Sequence, residues 1–401
     1  MSLSTAQPRA EHQARQPDLD APAFAERLEA LSDEFAATAA YFDKHSEFPH
    51  ANLRRLHEHG LLALTVPRRL GGSEATLAQA RRVVSAVARG EPSTALVLVM
   101  QYLQHTRLQG NQAWPLHLRE RLAREAVEEG ALINALRVEP DLGTPARGGL
   151  PNTIARRVEG GWLLSGRKIY STGIPGLTWL AVWARSDDSE PHVGTWLVHR
   201  DTPGIRIEET WDHLGMRATG SHDVIFEDVF VASEYAVDIL PANVPRPSEL
   251  DSTGVLWLAV LLSSIYDGVA RAARDWLVGW LAERTPANLG APLSSLPRFH
   301  ELIGRIDALL FANRVLLDAA AQGRVDPSEA TQVKYLVTSN AISAVELGIE
   351  AIGNPGLARG NPIERHYRDV LCSRIHTPQN DAILAAVGRA AFALPSRGAQ
   401  A

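Results

Sequence analysis

The sequence predicts three consecutive parts: an N-terminal helical domain, a compact antiparallel β domain and a C-terminal helical bundle. Three observations carry this. Up to about residue 130, apolar residues recur at three- and four-residue steps. From about 131 they give way to short runs rich in Val, Ile, Trp and Phe, divided by Gly, Asp, Ser and Pro. Near 250 the helical spacing returns and lasts to the end. The boundaries this implies are a loose tail over 1–20, a helical domain over 21–130, a β domain over 131–235 and a helical bundle over 236–401.

The first helix is predicted from Pro22, because AFAERLEALSDEFAATAAYF gathers Phe24, Leu28, Leu31, Phe35 and Ala39 into one apolar stripe. A second, NLRRLHEHG, stops at Gly60, a residue suited to a left-handed C-terminal position. After the Gly71-Gly72 turn, SEATLAQARRVVSAVAR forms a third, with Ser73 or Glu74 near its start. A fourth begins near Pro92 and passes Tyr102. In the β domain, WLLSGRKIYSTG, WLAVWAR, GTWLVHR, GIRIEET and VIFEDVFV read as strands, and Glu159-Gly160-Gly161 sets a hairpin. No helix of useful length separates them, which favours antiparallel pairing over βαβ units.

In the C-terminal part, DPSEA offers Asp326 as a cap, Pro327 at the first helical position and Glu329 to close a capping box. The following helix ends at Gly353. Asn361, Pro362 and Glu364 repeat the arrangement, and TPQN offers Thr377 as a cap with Pro378 in the first turn. His376 therefore falls immediately before a predicted N-cap. The wide apolar stripes of ELIGRIDALLFANRVLLDAA can pack a bundle core or a neighbouring subunit.

Composition narrows the function. The 401 residues are 45% hydrophobic and 21% charged, with a formal net charge of -6. There is no Lys/Arg run, so a nucleic-acid partner is not expected. The single cysteine, Cys372, excludes an intramolecular disulfide and cysteine-rich metal centres, and suits a reducing, cytoplasmic setting. No signal-type segment or uninterrupted bilayer-length apolar run is present, so no membrane association is expected. GxGxxG after a strand, GxxxxGK[ST] and HExxH are all missing, and no metal is expected.

Four segments carry a family likeness. VEPDLGTP (138–145) resembles the TEPGAGSD segment of acyl-CoA dehydrogenases, and GRKIYSTG (166–173) their GxKxWITNG strand. HLGMRATGSHDVIFEDVFV (213–231) is similar to the stretch that closes their β domain, and PIERHYRD (362–369) to their PxERxxRD helix. The resemblance implies an acyl-CoA dehydrogenase-like fold, with a barrel-like central domain and a C-terminal four-helix bundle. It also implies a homotetramer or dimer, and a flavin (FAD or FMN) between the β domain and the bundle. By motif position, Val138 would meet the flavin ring through its backbone and Thr144, beside Gly143, would lie near the phosphates. Tyr170, Ser171 and Thr172 would flank the isoalloxazine. Hydroxyl donors and glycines that permit close approach suit such a ligand, although Ser171 and Thr172 also suit a plain strand-ending turn.

The likeness breaks where the chemistry should be. The dehydrogenases carry a glutamate base shortly after PxERxxRD, or on an early helix of the C-terminal domain. Here RIHTPQND holds no acid between Asp369 and Asp381, the second position matches Leu258, and Asp267 beside Gly268 does not match it. His376, seven positions after Asp369, instead resembles the histidine of the superfamily's flavin monooxygenases acting on hydroxyphenylacetate or dibenzothiophene. Those enzymes take reduced flavin from a reductase and transfer one oxygen of O2. A neutral imidazole can accept or donate one hydrogen bond at such a centre. A histidine satisfying backbone groups at an interhelix bend is the competing reading.

His105, Asn134 and Arg137 are candidate pocket residues. Arg365, Arg368 and Asp369 are expected to brace the helix, Trp162 and Trp196 to pack, and Cys372 to be a buried, unreactive thiol. The leading expectation is a two-component monooxygenase acting on a small apolar, aromatic or sulfur-containing substrate. The alternatives are an acyl-CoA dehydrogenase with an unusual base, delivering electrons to an electron-transfer flavoprotein, and a non-catalytic binding protein on the same fold.

Overall fold

The computed structural model describes residues 18–142, 149–244 and 252–393. Five helices open it: α1 Pro22–His45, α2 His50–Glu58, α3 Leu77–Gly90, α4 Pro92–Gly110 and α5 Leu116–Glu128. The predicted α1 stripe is the buried one, with Phe24, Leu28, Leu31, Phe35 and Ala39 all inside. The start of α3 differs from the expectation of Ser73 or Glu74. Thr76 caps it, in a capping box closed by Gln79. Glu91 caps α4 by accepting from the amides of Ser93 and Thr94.

Eight strands follow: β1 Leu132–Leu136, β2 Ile154–Val158, β3 Gly161–Lys168, β4 Leu177–Ser186, β5 His192–His199, β6 Ile205–Glu208, β7 Asp223–Ala232 and β8 Ala236–Pro241. They form one sheet in the order β6-β7-β3-β2-β4-β5-β8, with β1 beside β4. The β2–β3 hairpin turns at Glu159-Gly160 as predicted. Two departures stand out. β1 and β2 both pair with β4 in parallel, so the sheet is mixed rather than wholly antiparallel. The long connection from β1 to β4, with the hairpin inside it, supplies the reach that parallel pairing needs. The sheet also runs past residue 235, because β8 adds to β5. Trp162 and Trp196 pack edge to face in its core, 5.5 Å apart.

The C-terminal domain holds α6 Ser252–Glu283, α7 Pro297–Ala321, α8 Ala330–Ile352, α9 Pro362–Leu371 and α10 Asn380–Ala393. Every residue of α6 from Ala259 to Ala270 is buried, as expected of a helix surrounded on all sides. By length and composition α6 could cross a membrane, but Asp267 interrupts its apolar run, as the sequence expectation holds, and 67% of its apolar window is buried inside the protein. A Cβ at Gly268 would stand 2.8 Å from the carbonyl oxygen of Ser85, so only glycine lets α6 approach α3 this closely. The predicted caps hold unevenly. Asp326 accepts from the Ser328 amide, but in a 3₁₀ turn that precedes α8. Asn361 makes no cap and donates instead to the carbonyl of Pro355.

Candidate functional site

On the β-domain side, one buried ion pair fixes the loop that carries Val138. Glu139 accepts from Lys168 Nζ at 2.6 Å and from the Thr153 hydroxyl at 2.6 Å. The Val138 carbonyl accepts from the Ile169 amide at 3.0 Å, which sets the VEP segment beside KIYST. Tyr170 adopts a left-handed φ of 54° and turns its ring outward, 53% exposed. That ring meets Trp211 and His213 edge-on, and those two rings stack 3.7 Å apart.

Ser171 is buried, and its hydroxyl has no partner among the described residues. The Thr172 carbonyl accepts from Asn134 Nδ2 at 3.0 Å, and its hydroxyl from Ser221 at 3.0 Å. Ser221 reaches Thr219 at 2.8 Å, and Thr219 donates to the Met216 carbonyl at 3.0 Å. Arg137 lies over the ring of Trp183, 5.4 Å from its centroid. Gly143 and Thr144 lie outside the described residues. An outward-facing aromatic wall, a buried hydroxyl with no partner among the described residues and a backbone set by the Val138–Ile169 hydrogen bond suit what a flavin ring needs.

On the bundle side, His376 stands in the loop between α9 and α10. Its Nδ1 lies 2.5 Å from the hydroxyl of Tyr266 on α6. Tyr266 is fully buried. Lys334 on α8 donates to the carbonyls of Ser373 and His376 and to Asn380 Oδ1. Burial first, and the Lys334 charge second, push the His376 imidazole down to about 4, so it is neutral at physiological pH. The sequence places His376 immediately before an N-cap at Thr377. The structure corrects this: α10 starts at Asn380, four residues beyond His376, so burial and a cation do the work.

Met216 joins the two sides. Its carbonyl takes the Thr219 hydroxyl, and its amide donates to Asp369 Oδ1 at 2.7 Å. Beside it, a Cβ at Gly215 would collide with the Arg368 carbonyl at 2.3 Å, so glycine is required for the β domain to sit against α9. Arg368 pairs with both Asp43 and Glu364, the bracing that was expected of it. Burial raises the Asp369 carboxyl to about 7. Cys372 is partly buried, and burial followed by the Asp369 charge lifts its thiol to about 12, which leaves it unreactive.

Other groups stand apart. His105 is buried against Gln101, whose amide also ties α4 to the carbonyl of Ala131 and the amide of Ile133. Asp267 is held by Arg271 and Asn313. A groove of about 380 Å³ walled by Phe24, Leu28, Arg82 and Arg89 contains none of the residues above. Sequence reasoning missed Tyr266 and Lys334. The available signal was an aromatic hydroxyl in the otherwise apolar GVLWLAVLLSSIY and a lysine in the buried stripe of α8.

Comparison with known proteins agrees with this architecture. The acyl-CoA dehydrogenase N-terminal, middle and C-terminal domain profiles match residues 22–111, 137–229 and 260–380. YdbM of Bacillus subtilis (strain 168), provisionally named an acyl-CoA dehydrogenase, is 33% identical over 374 residues, covering 92% of this chain and 96% of its own. L-evernosamine nitrososynthase of a Micromonospora species is 30% identical over 369 residues, covering 86% and 83%. The structure of KijD3 with FMN and a dTDP-linked amino sugar superposes with a TM-score of 0.78 at 28% identity, covering 95% and 97%. The chain belongs to the acyl-CoA dehydrogenase superfamily. It is thus an enzyme of the flavin-dependent oxidoreductase class.

Proposed function

We propose that this protein is a flavin-dependent monooxygenase, supplied with reduced FMN or FAD by a separate reductase, in which a neutral His376 donates a hydrogen bond to the reacting oxygen. The observation that carries the reading is the Tyr266–His376 pair, in the segment where the dehydrogenase pattern has its carboxylate. The nearby acids are otherwise engaged. Asp369 caps the Met216 amide, and Asp267 is tied to Arg271 and Asn313. An imidazole pushed down to about 4 is also a weak base for a proton alpha to a thioester.

Hydrogen-bond accounting assigns the tautomer. The buried Tyr266 hydroxyl has one proton and one partner, so it donates to His376 Nδ1 and leaves the ring hydrogen on Nε2. When bound, the reduced flavin supplies the electrons that activate O2. Val138, Tyr170, Ser171 and Thr172 would hold its ring, with Gly143 and Thr144 on the phosphate side. The His376 Nε2–H would give a hydrogen bond to the oxygen that leaves as water while the other enters the substrate; the proton that oxygen gains would come from the amine nitrogen as it is oxygenated, so the neutral ring keeps its own. Asn134 would orient Thr172. The likeness to nitrososynthases at 30% and 31% identity favours an amine nitrogen as the oxygenated atom, over a sulfur or an apolar carbon.

Exposed Phe311, Val315 and Leu336 on α7 and α8 support a homo-oligomer built through the bundle. A cytoplasmic setting suits the lone thiol and a reductase partner. The test is incorporation of label from 18O2 into an amine substrate, with NADH, FMN and a flavin reductase. Labelled product that disappears in His376→Ala supports the reading. Anaerobic bleaching of bound flavin by an acyl-CoA, with no oxygen incorporated, would replace it with acyl-CoA dehydrogenation, the reading that the likeness to YdbM supports.

A further inference from the structure

We infer that Lys334 is a positioning residue for His376: its ammonium, rising from α8, clamps the α9–α10 loop and sets both the place and the charge of the imidazole. The inference deepens the monooxygenase reading and rests on it for its consequence in turnover.

Lys334 has no solvent exposure. It donates to Ser373 O at 2.9 Å, His376 O at 3.2 Å and Asn380 Oδ1 at 2.7 Å. All three acceptors lie within eight consecutive residues, and His376 is among them. A buried ammonium is costly, and a carboxylate partner is the usual relief. Here every partner is a neutral oxygen of the one loop that bears the candidate reactive group. Another tie from this segment to α8, the Arg374–Glu346 ion pair at 3.8 Å, lies at the surface, with the arginine side chain 56% exposed. The Ile375 amide bonds locally to Cys372, and the Ile383 amide to Gln379. Lys334 therefore holds the backbone at His376 while Tyr266 holds the ring, and two fixed points define where Nε2 lies.

The charge acts in the same direction. The groups around His376 are Tyr266 from α6 and Lys334 from α8, with Asp369 and Cys372 of α9 and its end close to Tyr266. No acid hydrogen-bonds to the imidazole among the described residues. The full charge that acts on it is that of the lysine, which opposes a second positive charge on the ring. Burial lowers the Lys334 ammonium to about 8, so it remains charged at neutral pH.

The test titrates histidine-selectively 15N-labelled full-length protein by NMR, with His376 assigned from the signals lost in His376→Gln. In Lys334→Gln and Lys334→Met the His376 midpoint is expected to rise by at least about one pH unit, and kcat in the reductase-coupled assay to fall about tenfold or more. The acid limb of the rate profile should move up with the midpoint, while flavin affinity and KM change less than about twofold. A folded variant with an unmoved His376 midpoint and an unmoved acid limb overturns the inference. Should neither variant fold, the wild type decides. Its His376 signals should carry a second inflection near pH 8 as Lys334 deprotonates, and a featureless curve there overturns the inference. Full turnover by His376→Ala would sink the functional reading and leave the titration result standing.

Discussion

The hydroxyl of Tyr266 lies 2.5 Å from Nδ1 of His376, across 110 residues of sequence. One residue comes from the fully buried middle of α6 and the other from a half-buried loop. The helix thus orients a ring that the loop alone would leave free to rotate. Tyr266→Phe keeps the packing and removes the donor, so the tautomer and the ring angle are no longer fixed. We expect kcat to fall by about 10- to 100-fold with KM nearly unchanged, the scale typical of losing a partner that orients a reactive histidine. Steady-state oxygenation kinetics check this, and unchanged kcat would remove Tyr266 from the mechanism.

Loss of His376 itself should separate oxygenation from oxidase chemistry. In His376→Ala, product formation should drop by about 10²–10⁴-fold. Reductase-driven oxygen consumption should continue, releasing hydrogen peroxide. Because the imidazole is pushed down to about 4, the wild-type acid limb should fall below pH 5 rather than near the ordinary 6.5. Product and peroxide yields measured against pH decide the matter, and a limb at 6.5 would contradict a desolvated, neutral ring.

Much of this arrangement was legible in the sequence, and the parts that were not share one cause. The three-part layout, the apolar face of α1 and the β2–β3 hairpin follow from local periodicity and turn chemistry. The parallel pairing of β1 with β4 joins segments about 45 residues apart and leaves no local mark. His376 stood out because a motif places it. Tyr266 and Lys334 did not, since each sits in a helix that reads as core, and only packing shows their polar ends converging on one loop. The helix after His376 starts later than its Thr-Pro signal suggested.

Ser171 offers a test of the cofactor side. Its hydroxyl is buried without a partner among the described residues, so Ser171→Ala removes an unsatisfied group and should leave stability within about 1 kcal/mol of wild type. If the hydroxyl faces the flavin, affinity for the cofactor should nonetheless weaken about 5- to 10-fold, the value of one hydrogen bond. Thermal unfolding without flavin and flavin titration by fluorescence measure the two effects separately. Equal flavin affinity in the variant would show that the hydroxyl points elsewhere.

Buried titratable groups also predict how stability varies with pH. His376 and His105 are each pushed down to about 4, and His366 to about 3, in every case first by burial. Between these values and 6.5 the unfolded chain binds protons that the folded chain refuses, so each histidine makes stability rise as pH rises through that window. Asp369 works the other way. Its carboxyl is raised from 3.8 to about 7, so the folded chain holds a proton that the unfolded chain has lost, and stability falls as pH climbs from 3.8 to 7. These rising contributions, joined by those of His50, His59, His213 and His222, which burial also lowers, oppose one falling contribution, and the net expectation is a urea midpoint that increases from pH 4.5 to 6.5. Asp369→Asn keeps an acceptor for the Met216 amide and deletes the opposing contribution, so its midpoint should rise more steeply over the same range. A midpoint that falls across this range in the Asn variant would mean that the three histidines are not buried as neutral rings.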